Sequence, residues 1–158
     1  MLDQNLAEAS NAARRFIAYR LRSEREVARR LSKKFEPPTI EATIAQMYRE
    51  NLLDDIRFAK SFTDSRMGSR PKSAAKIRQE LKSKGVSREI ADIVTADLSD
   101  YASALAAARK KTRSICRNTE SVFSKKLSNH LAQRGFSYDL SNRIVRMVCR
   151  DIYHQSEQ

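Results

Sequence analysis

Apolar residues return along this chain at intervals of three and four, the spacing of one face of a helix, and that pattern itself repeats every 50 residues. Val27 and Leu31, Ile77 and Leu81, and Leu127 and Leu131 stand in register, followed by Lys34, Lys84 and Arg134. Ile40, Ile90 and Leu140 come next, then Ile44, Val94 and Ile144. No alternating Val/Ile/Thr run of strand type interrupts them. A fixed period in this range marks a stacked repeat protein, in which each unit buries its apolar face against its neighbours. The expected fold is therefore all-α: tandem three-helix repeats at 1–53, 54–100 and 101–158, forming one continuous modular domain stacked into an elongated, curved array. Such an array has an extended surface for an extended partner.

Start and stop signals place the helices. Ser23-Glu24-Arg25-Glu26 is a capping box for the middle helix of repeat one, and Ser73 stands 50 residues later. Ser87 and Ser137 precede the third helices of repeats two and three, where repeat one has Pro37-Pro38 in the first turn. Gly85 and Gly135 fall where the middle helices must stop, whereas repeat one has Phe35 there and needs a different cap. Val27/Leu31 and then Ile40/Ile44 with Met47 and Tyr48 mark apolar faces. The first helices are less regular, at Ala12 to Leu21, Phe58 to Met67 and Ala102 to about Cys116. Insertions near Gly68 and Asn118 are expected to separate the last two from their middle helices. Asp54 or Asp55 can cap the helix carrying Phe58 and Phe62.

Composition narrows the partners. The chain has 31 Lys and Arg against 19 Asp and Glu, a net +12, which favours nucleic acid, an acidic protein face or an anionic membrane. No apolar run is long enough for a transmembrane helix, and Met-Leu-Asp-Gln-Asn-Leu lacks the features of a signal peptide. Two cysteines without an export signal point to a reducing compartment, so a cytoplasmic location and no membrane partner are expected. Cys116 and Cys149 are 33 residues apart, without the close pairs of a zinc site, and read as small buried or half-buried residues. His130 and His154 have no close carboxylate or cysteine in sequence. No phosphate loop or nucleophile elbow is present. Catalytic residues, metal ligands and cofactors are therefore assigned to none, and a non-enzyme is expected.

The positive charge is uneven: +3 in residues 1–53, +2 in 54–100 and +7 in 101–158. Arg109, Lys110, Lys111, Arg113 and Arg117 form the densest run, with 109, 113 and 117 on one helical stripe and 110 beside it. Lys125 and Lys126 follow. Few carboxylates lie nearby, so this cluster reads as a contact for phosphate or an acidic protein rather than as a solvated face. Arg66, Arg70, Lys72, Lys76 and Arg78 form a second cluster, equally readable as contact or solvated loop. A third, Arg14, Arg15, Arg20 and Arg22, is partly balanced by Glu24 and Glu26 and reads as a solvated face. Phe136 and Tyr138 could stack on a base, but such a pair more often closes a turn against the core.

Four segments in fixed order carry a resemblance over residues 10–150: Arg22-Ser23-Glu24-(x)2-Val27-(x)3-Leu31; Leu53-Asp54-Asp55-(x)-Arg57-Phe58-Ala59; Lys76-Ile77-Arg78-Gln79-Glu80-Leu81-(x)2-Lys84-Gly85; and Leu131-(x)2-Arg134-Gly135-Phe136. Together they resemble the RecX family, regulators of the RecA recombinase. The family often has glycine where Phe35 stands, and a Gly-Pro pair where this chain reads Gly68-Ser69-Arg70-Pro71-Lys72-Ser73. The resemblance implies a monomeric inhibitor of homologous recombination and DNA repair. It binds the RecA–single-stranded DNA filament and limits its ATPase and growth. The net charge of +12 adds the expectation of weak, non-specific binding to DNA alone. The candidate filament or DNA contacts are Arg109, Lys110, Lys111, Arg113, Arg117, Lys125, Lys126, Arg66, Arg70, Lys72 and Lys76. Within that motif, Asp54, Asp55 and Arg57 read as a cap and ion pair at a repeat junction.

Two rivals remain. Ile77 to Val94, with Gly85 between short helices, is patterned like a DNA-reading helix-turn-helix of a transcription regulator, with Arg88 and Glu89 opening the recognition helix. The same pair recurs in repeat three and weakly in repeat one, which suits a scaffold better. A scaffold for acidic proteins with no nucleic acid nearby fits the charge equally well.

Overall fold

The computed structural model describes residues 2–154 of the chain. Among these are nine helices and no strand: α1 (Leu2–Ala18), α2 (Glu24–Leu31), α3 (Pro37–Arg49), α4 (Asp55–Ser69), α5 (Ala74–Ser83), α6 (Arg88–Thr95), α7 (Asp100–Ile115), α8 (Glu120–Gln133) and α9 (Tyr138–Tyr153). The all-α, three-helices-per-repeat architecture expected from the periodicity is the one observed.

The polar residues that open the helices act as caps. Ser23 accepts the Glu26 N–H at 3.2 Å while the Glu26 carboxylate accepts the Ser23 N–H at 3.3 Å, completing the capping box of α2. Ser73, Ser87 and Ser137 accept the N–H groups of Lys76, Ile90 and Leu140 at 3.1, 3.3 and 3.3 Å. Asp54 caps α4 by accepting the Arg57 N–H at 2.9 Å, and Asp55 instead accepts the Glu24 N–H at the start of α2, at 2.8 Å. Asp100 serves α5 in the same way, accepting the Ala74 N–H at 2.8 Å. A carboxylate opening the next repeat's first helix thus completes the preceding repeat's middle helix, where backbone donors and the helix dipole favour negative charge.

A second contact also recurs. The Ser23 hydroxyl donates to the Lys84 carbonyl at 2.6 Å, and the Ser73 N–H donates to the Arg134 carbonyl at 3.0 Å. The donors are 50 residues apart, and so are the acceptors. Gly85 and Gly135 follow those carbonyls with φ of +84° and +85°, as C-terminal caps require. A Cβ on Gly135 would lie 2.6 Å from Ser73 Oγ and 2.7 Å from Lys76 Cβ; one on Gly85 would collide with Arg25. The ends of α5 and α8 are therefore seated on the beginnings of α2 and α5, and only glycine allows both the turn and the approach.

Val27, Ile77, Leu127, Leu31, Leu81 and Leu131 are all buried. Contacts group the chain into two compact units, Met1–Thr63 with Arg78–Val94, and Asp64–Ile77 with Thr95–Gln158. In the first, Ala9, Ala13, Val27, Leu31, Met47 and Leu53 form a core, with Phe16, Ile17, Phe35, Ile40 and Ile44 packed against it. In the second, the core runs from Ala104, Ala107 and Ala108 through Phe123, Leu127 and Leu131 to Ile144, Val148 and Cys149.

Repeat one departs from the pattern. Its middle helix stops at Leu31, whereas α5 and α8 continue to Ser83 and Gln133, two residues further in register. Without a glycine, the Lys34 and Phe35 N–H groups both fold back on the Leu31 carbonyl, at 2.9 and 3.0 Å. The offset carries into α3, which buries Thr39, Thr43 and Met47, while the buried sites on α6 and α9 include Ala91, Thr95, Ser141, Ile144 and Val145. Ile40 and Ile44 are only half-buried. Another expectation is corrected. The first helix runs Leu2–Ala18, not Ala12 to Leu21, because its buried face uses alanines (Ala9, Ala13) that give a weak apolar signal. The break expected near Gly68 falls just after it: Gly68 lies within α4, and residues 70–73 separate α4 from α5.

Candidate functional site

All eleven candidate contacts fall in the second unit. There the loop after α4 meets α7 and α8. Lys110 donates its ammonium to the Gly68 and Ser69 carbonyls at 3.0 and 3.1 Å, holding the end of α4 against α7. Arg134, capping α8, donates from Nη1 to the Pro71 carbonyl at 3.2 Å and from Nε to His130 Nε2 at 2.9 Å. These residues, with Lys111 and Ser114, border two adjoining depressions of about 160 and 450 Å³, the larger reaching Lys126, Asn129 and Gln133. No carboxylate lines either one among the described residues.

The electrostatics follow from that composition. Burial, then the Arg134 and Lys111 charges, push the His130 imidazole down to about 4, so the ring is neutral near pH 7. Because Nε2 accepts from Arg134, the proton of the neutral ring sits on Nδ1. Burial and the neighbouring Arg70 likewise lower the Arg134 pKa. The cleft concentrates positive potential and offers several donors, as an oxyanion of phosphate or carboxylate requires.

The sequence-derived candidates divide. Lys110, Lys111 and Lys126 line the cleft, and the Lys126 ammonium also donates to Asn118 Oδ1 at 3.1 Å. Arg70 is exposed and close enough to act on Arg134. Arg109, Arg113 and Lys125 are exposed and are not among the residues lining it. Arg117 falls outside α7, which ends at Ile115, so the expected 109–113–117 helical stripe is cut short. Arg66, Lys72 and Lys76 are half-buried and already interact with neighbouring groups.

Arg134 and His130 are the cleft members that sequence reasoning missed as contacts. A signal for Arg134 existed. Its register mates find carboxylates: Lys34 pairs with Glu8 at 3.0 Å, and Lys84 with Glu26 at 3.4 Å. The residue 50 positions after Glu26 is Lys76. At the equivalent place in the second joint, a base thus stands where the first joint has an acid.

Other expectations resolve here. Phe136 is buried in the core, whereas Tyr138 is 79% exposed. Cys149 is buried, but Cys116, expected to be at least half-buried, is exposed because it caps α7 beyond the last core residue, Ile115. In the basic N-terminal cluster, Arg20 pairs with Glu26 at 2.9 Å, Arg14 pairs with Glu50 at 2.6 Å, and Arg22 lies 3.9 Å above the Phe16 ring. The turn of the presumed helix-turn-helix, at Gly85, is occupied by the contact with Arg25, and Arg88 pairs with Asp92 within α6. That helix pair is a repeat joint. Among the described residues no His/Cys/Asp/Glu group is placed to hold a metal, and no helix is long and apolar enough to cross a membrane.

Comparison with known proteins agrees with this architecture. Family models described as the first, second and third three-helix domains of RecX match residues 9–47, 54–94 and 99–145. Regulatory protein RecX of Prosthecochloris aestuarii is 34% identical over 137 residues, spanning 86% of this chain and 90% of that protein. Its counterpart from Clostridium perfringens is 31% identical over 160 residues, spanning 96% and 73%. The crystal structure of RecX from Lactobacillus salivarius shares the fold, with a TM-score of 0.76 and 23% identity over 92% of this chain and 97% of that one. With three consecutive domain matches, relatives above 30% identity along most of the chain, and the repeat joint as its structural core, this protein belongs to the RecX family.

Proposed function

We propose that this chain is a non-catalytic regulator that binds the RecA–single-stranded DNA filament and limits its ATPase and growth. The observation that carries the reading is the cleft lined by Lys110, Lys111, His130 and Arg134, which has no carboxylate of its own. Like charges gathered at a joint repel, and a phosphate or an acidic side chain of the partner relieves that cost. Family membership selects the partner, since the relatives carry the name of regulatory protein RecX. Contacts made at several places along one partner raise avidity above that of any single contact.

The test is steady-state ATPase of the recombinase on single-stranded DNA, titrated with this protein. Inhibition is expected well below the concentration that coats naked DNA, and it weakens with added salt. Arg70→Gln, Lys110→Gln and Lys111→Gln together remove three contacts of about 0.5–1 kcal/mol each, shifting the titration roughly 10- to 100-fold. Arg134 is left intact to keep its bond to the Pro71 carbonyl, and because Lys110→Gln also removes the bonds to the Gly68 and Ser69 carbonyls, circular dichroism checks that the triple variant stays folded. If inhibition sets in only when the DNA is saturated, competition for DNA accounts for it and the filament reading fails.

A further inference from the structure

We propose that α7 and α9 carry a second nucleic-acid contact, distinct from the Lys110–Arg134 cleft: a platform for an unpaired base formed by Tyr101 and Arg143 and flanked by Arg146 and Arg150. It rests on the reading above only in taking nucleic acid as the ligand; it does not depend on the recombinase.

The argument starts from α9. Its inward face is fixed by the core through Ile144, Val145, Val148 and Cys149. Arg143, Arg146 and Arg150, at i, i+3 and i+7, share the outward face and are all exposed. Among the described residues none of the three makes an ion pair. Tyr101, in the first turn of α7, adjoins them. Its hydroxyl donates to Met147 Sδ at 3.8 Å, which holds the ring, and the Arg143 guanidinium lies 5.2 Å from the ring centroid. The ring keeps 39% of its surface exposed. The depression they share is about 600 Å³ and contains one carboxylate, Asp139, against three guanidiniums.

Arginine is the cation suited to a phosphate, because its planar fork donates two parallel hydrogen bonds. An aromatic ring beside arginines adds what a phosphate site alone does not need: a flat surface for a base. Unpaired bases stack on aromatic rings and on guanidinium planes, with little regard to sequence. A duplex keeps its bases inside and presents only phosphates. The arginines therefore serve both forms of nucleic acid, and Tyr101 serves single strands alone. An acidic protein would use the arginines without needing the ring.

The experiment uses the full chain without recombinase. Fluorescence anisotropy measures binding to a short labelled oligothymidine, to a duplex of the same length and to polyglutamate, each at several salt concentrations. Tyr101→Leu is expected to weaken the single strand roughly five- to hundredfold and leave the duplex within about twofold. Tyr101→Phe, which keeps the ring, is expected to bind both as before. Changing Arg143, Arg146 and Arg150 together to Gln is expected to flatten the single-strand salt slope by roughly 2 in log–log terms. Circular dichroism checks folding, and the arginine variant carries the test if Tyr101→Leu unfolds. Equal loss on single strand and duplex, no loss on either, an unchanged salt slope, or polyglutamate binding that depends on Tyr101 as strongly would each overturn the proposal. A filament reading that failed in the ATPase assay would leave this result standing, and the reverse also holds.

Discussion

The sharpest test of the repeat joint sets two glycines against each other. Gly135 has φ of +85°, and a Cβ there would sit 2.6 Å from Ser73 Oγ and 2.7 Å from Lys76 Cβ. Gly135→Ala therefore incurs about 1–2 kcal/mol for an L-residue in left-handed backbone. It also displaces Ser73, whose hydroxyl caps α5 through the Lys76 N–H at 3.1 Å. A lost cap costs about 1 kcal/mol, so the whole substitution should cost roughly 2–3 kcal/mol. Gly68 is the opposite case: it is exposed, lies within α4, and would place a Cβ in open space. Gly68→Ala gains helix propensity, up to about 1 kcal/mol, less for its place near the helix end. Urea unfolding followed by circular dichroism separates the two through the midpoint, with the slope checked for constancy. A Gly135→Ala protein as stable as its parent would mean that this helix end is not seated on α5, and the account of the joint would be wrong.

Three further outcomes follow from the same packing and charge. Leu81→Ala empties a fully buried site and should cost about 2–5 kcal/mol in the same assay; a loss under 1 would show that the site is not tightly packed. His130 has a folded pKa of about 4, below its ordinary value near 6.5, so the unfolded chain holds the extra proton between those values. Stability is then full above about pH 6.5 and declines as pH falls toward 4, His130→Gln removes that decline, and an imidazole titrating near 6.5 by NMR would refute it. Lys111→Glu places an acid in the cleft beside His130; it should weaken DNA binding, and tighter binding would remove the cleft from consideration.

The fold was legible wherever a single residue type dictates local backbone. Ser23, Ser73, Ser87 and Ser137 announced helix starts, and Gly85 and Gly135 announced stops, because few other residues meet those demands. Where burial relies on small residues, the pattern was silent. Ala9 and Ala13 carry α1, and Thr39 and Thr43 carry α3, with Thr43 returning its hydroxyl to the Thr39 carbonyl at 2.8 Å. Asp54 and Asp55 looked interchangeable in sequence; only tertiary placement separates the cap of α4 from the partner of Glu24. The site was half legible. Lys110 and Lys111 stood out as charge, but Arg134 and His130 lie more than 15 residues away and join them only through the packing of α8 on α7.

The two joints show how one scaffold contact acquires a second use. Both share backbone geometry: a glycine in left-handed conformation, a carbonyl before it, and a serine of the preceding repeat beneath. These parts hold the repeats and leave little room for variation. The side chains around them are under no such constraint. At the first joint Glu26 is shared by Arg20 and Lys84 at 2.9 and 3.4 Å, and their attraction, with the backbone N–H of Ser23, outweighs its burial and lowers its pKa. There the one acid is paired on both sides. At the second, Lys76 stands in register where the first has an acid, Arg134 donates to the neutral His130, and no carboxylate lines the two depressions beside them. Lys110, Lys111 and Arg134, gathered beside one joint, repel one another, a cost that Glu26 offsets at the first. On the proposed function, an anion of the partner would offset that repulsion at the second joint as Glu26 offsets it at the first.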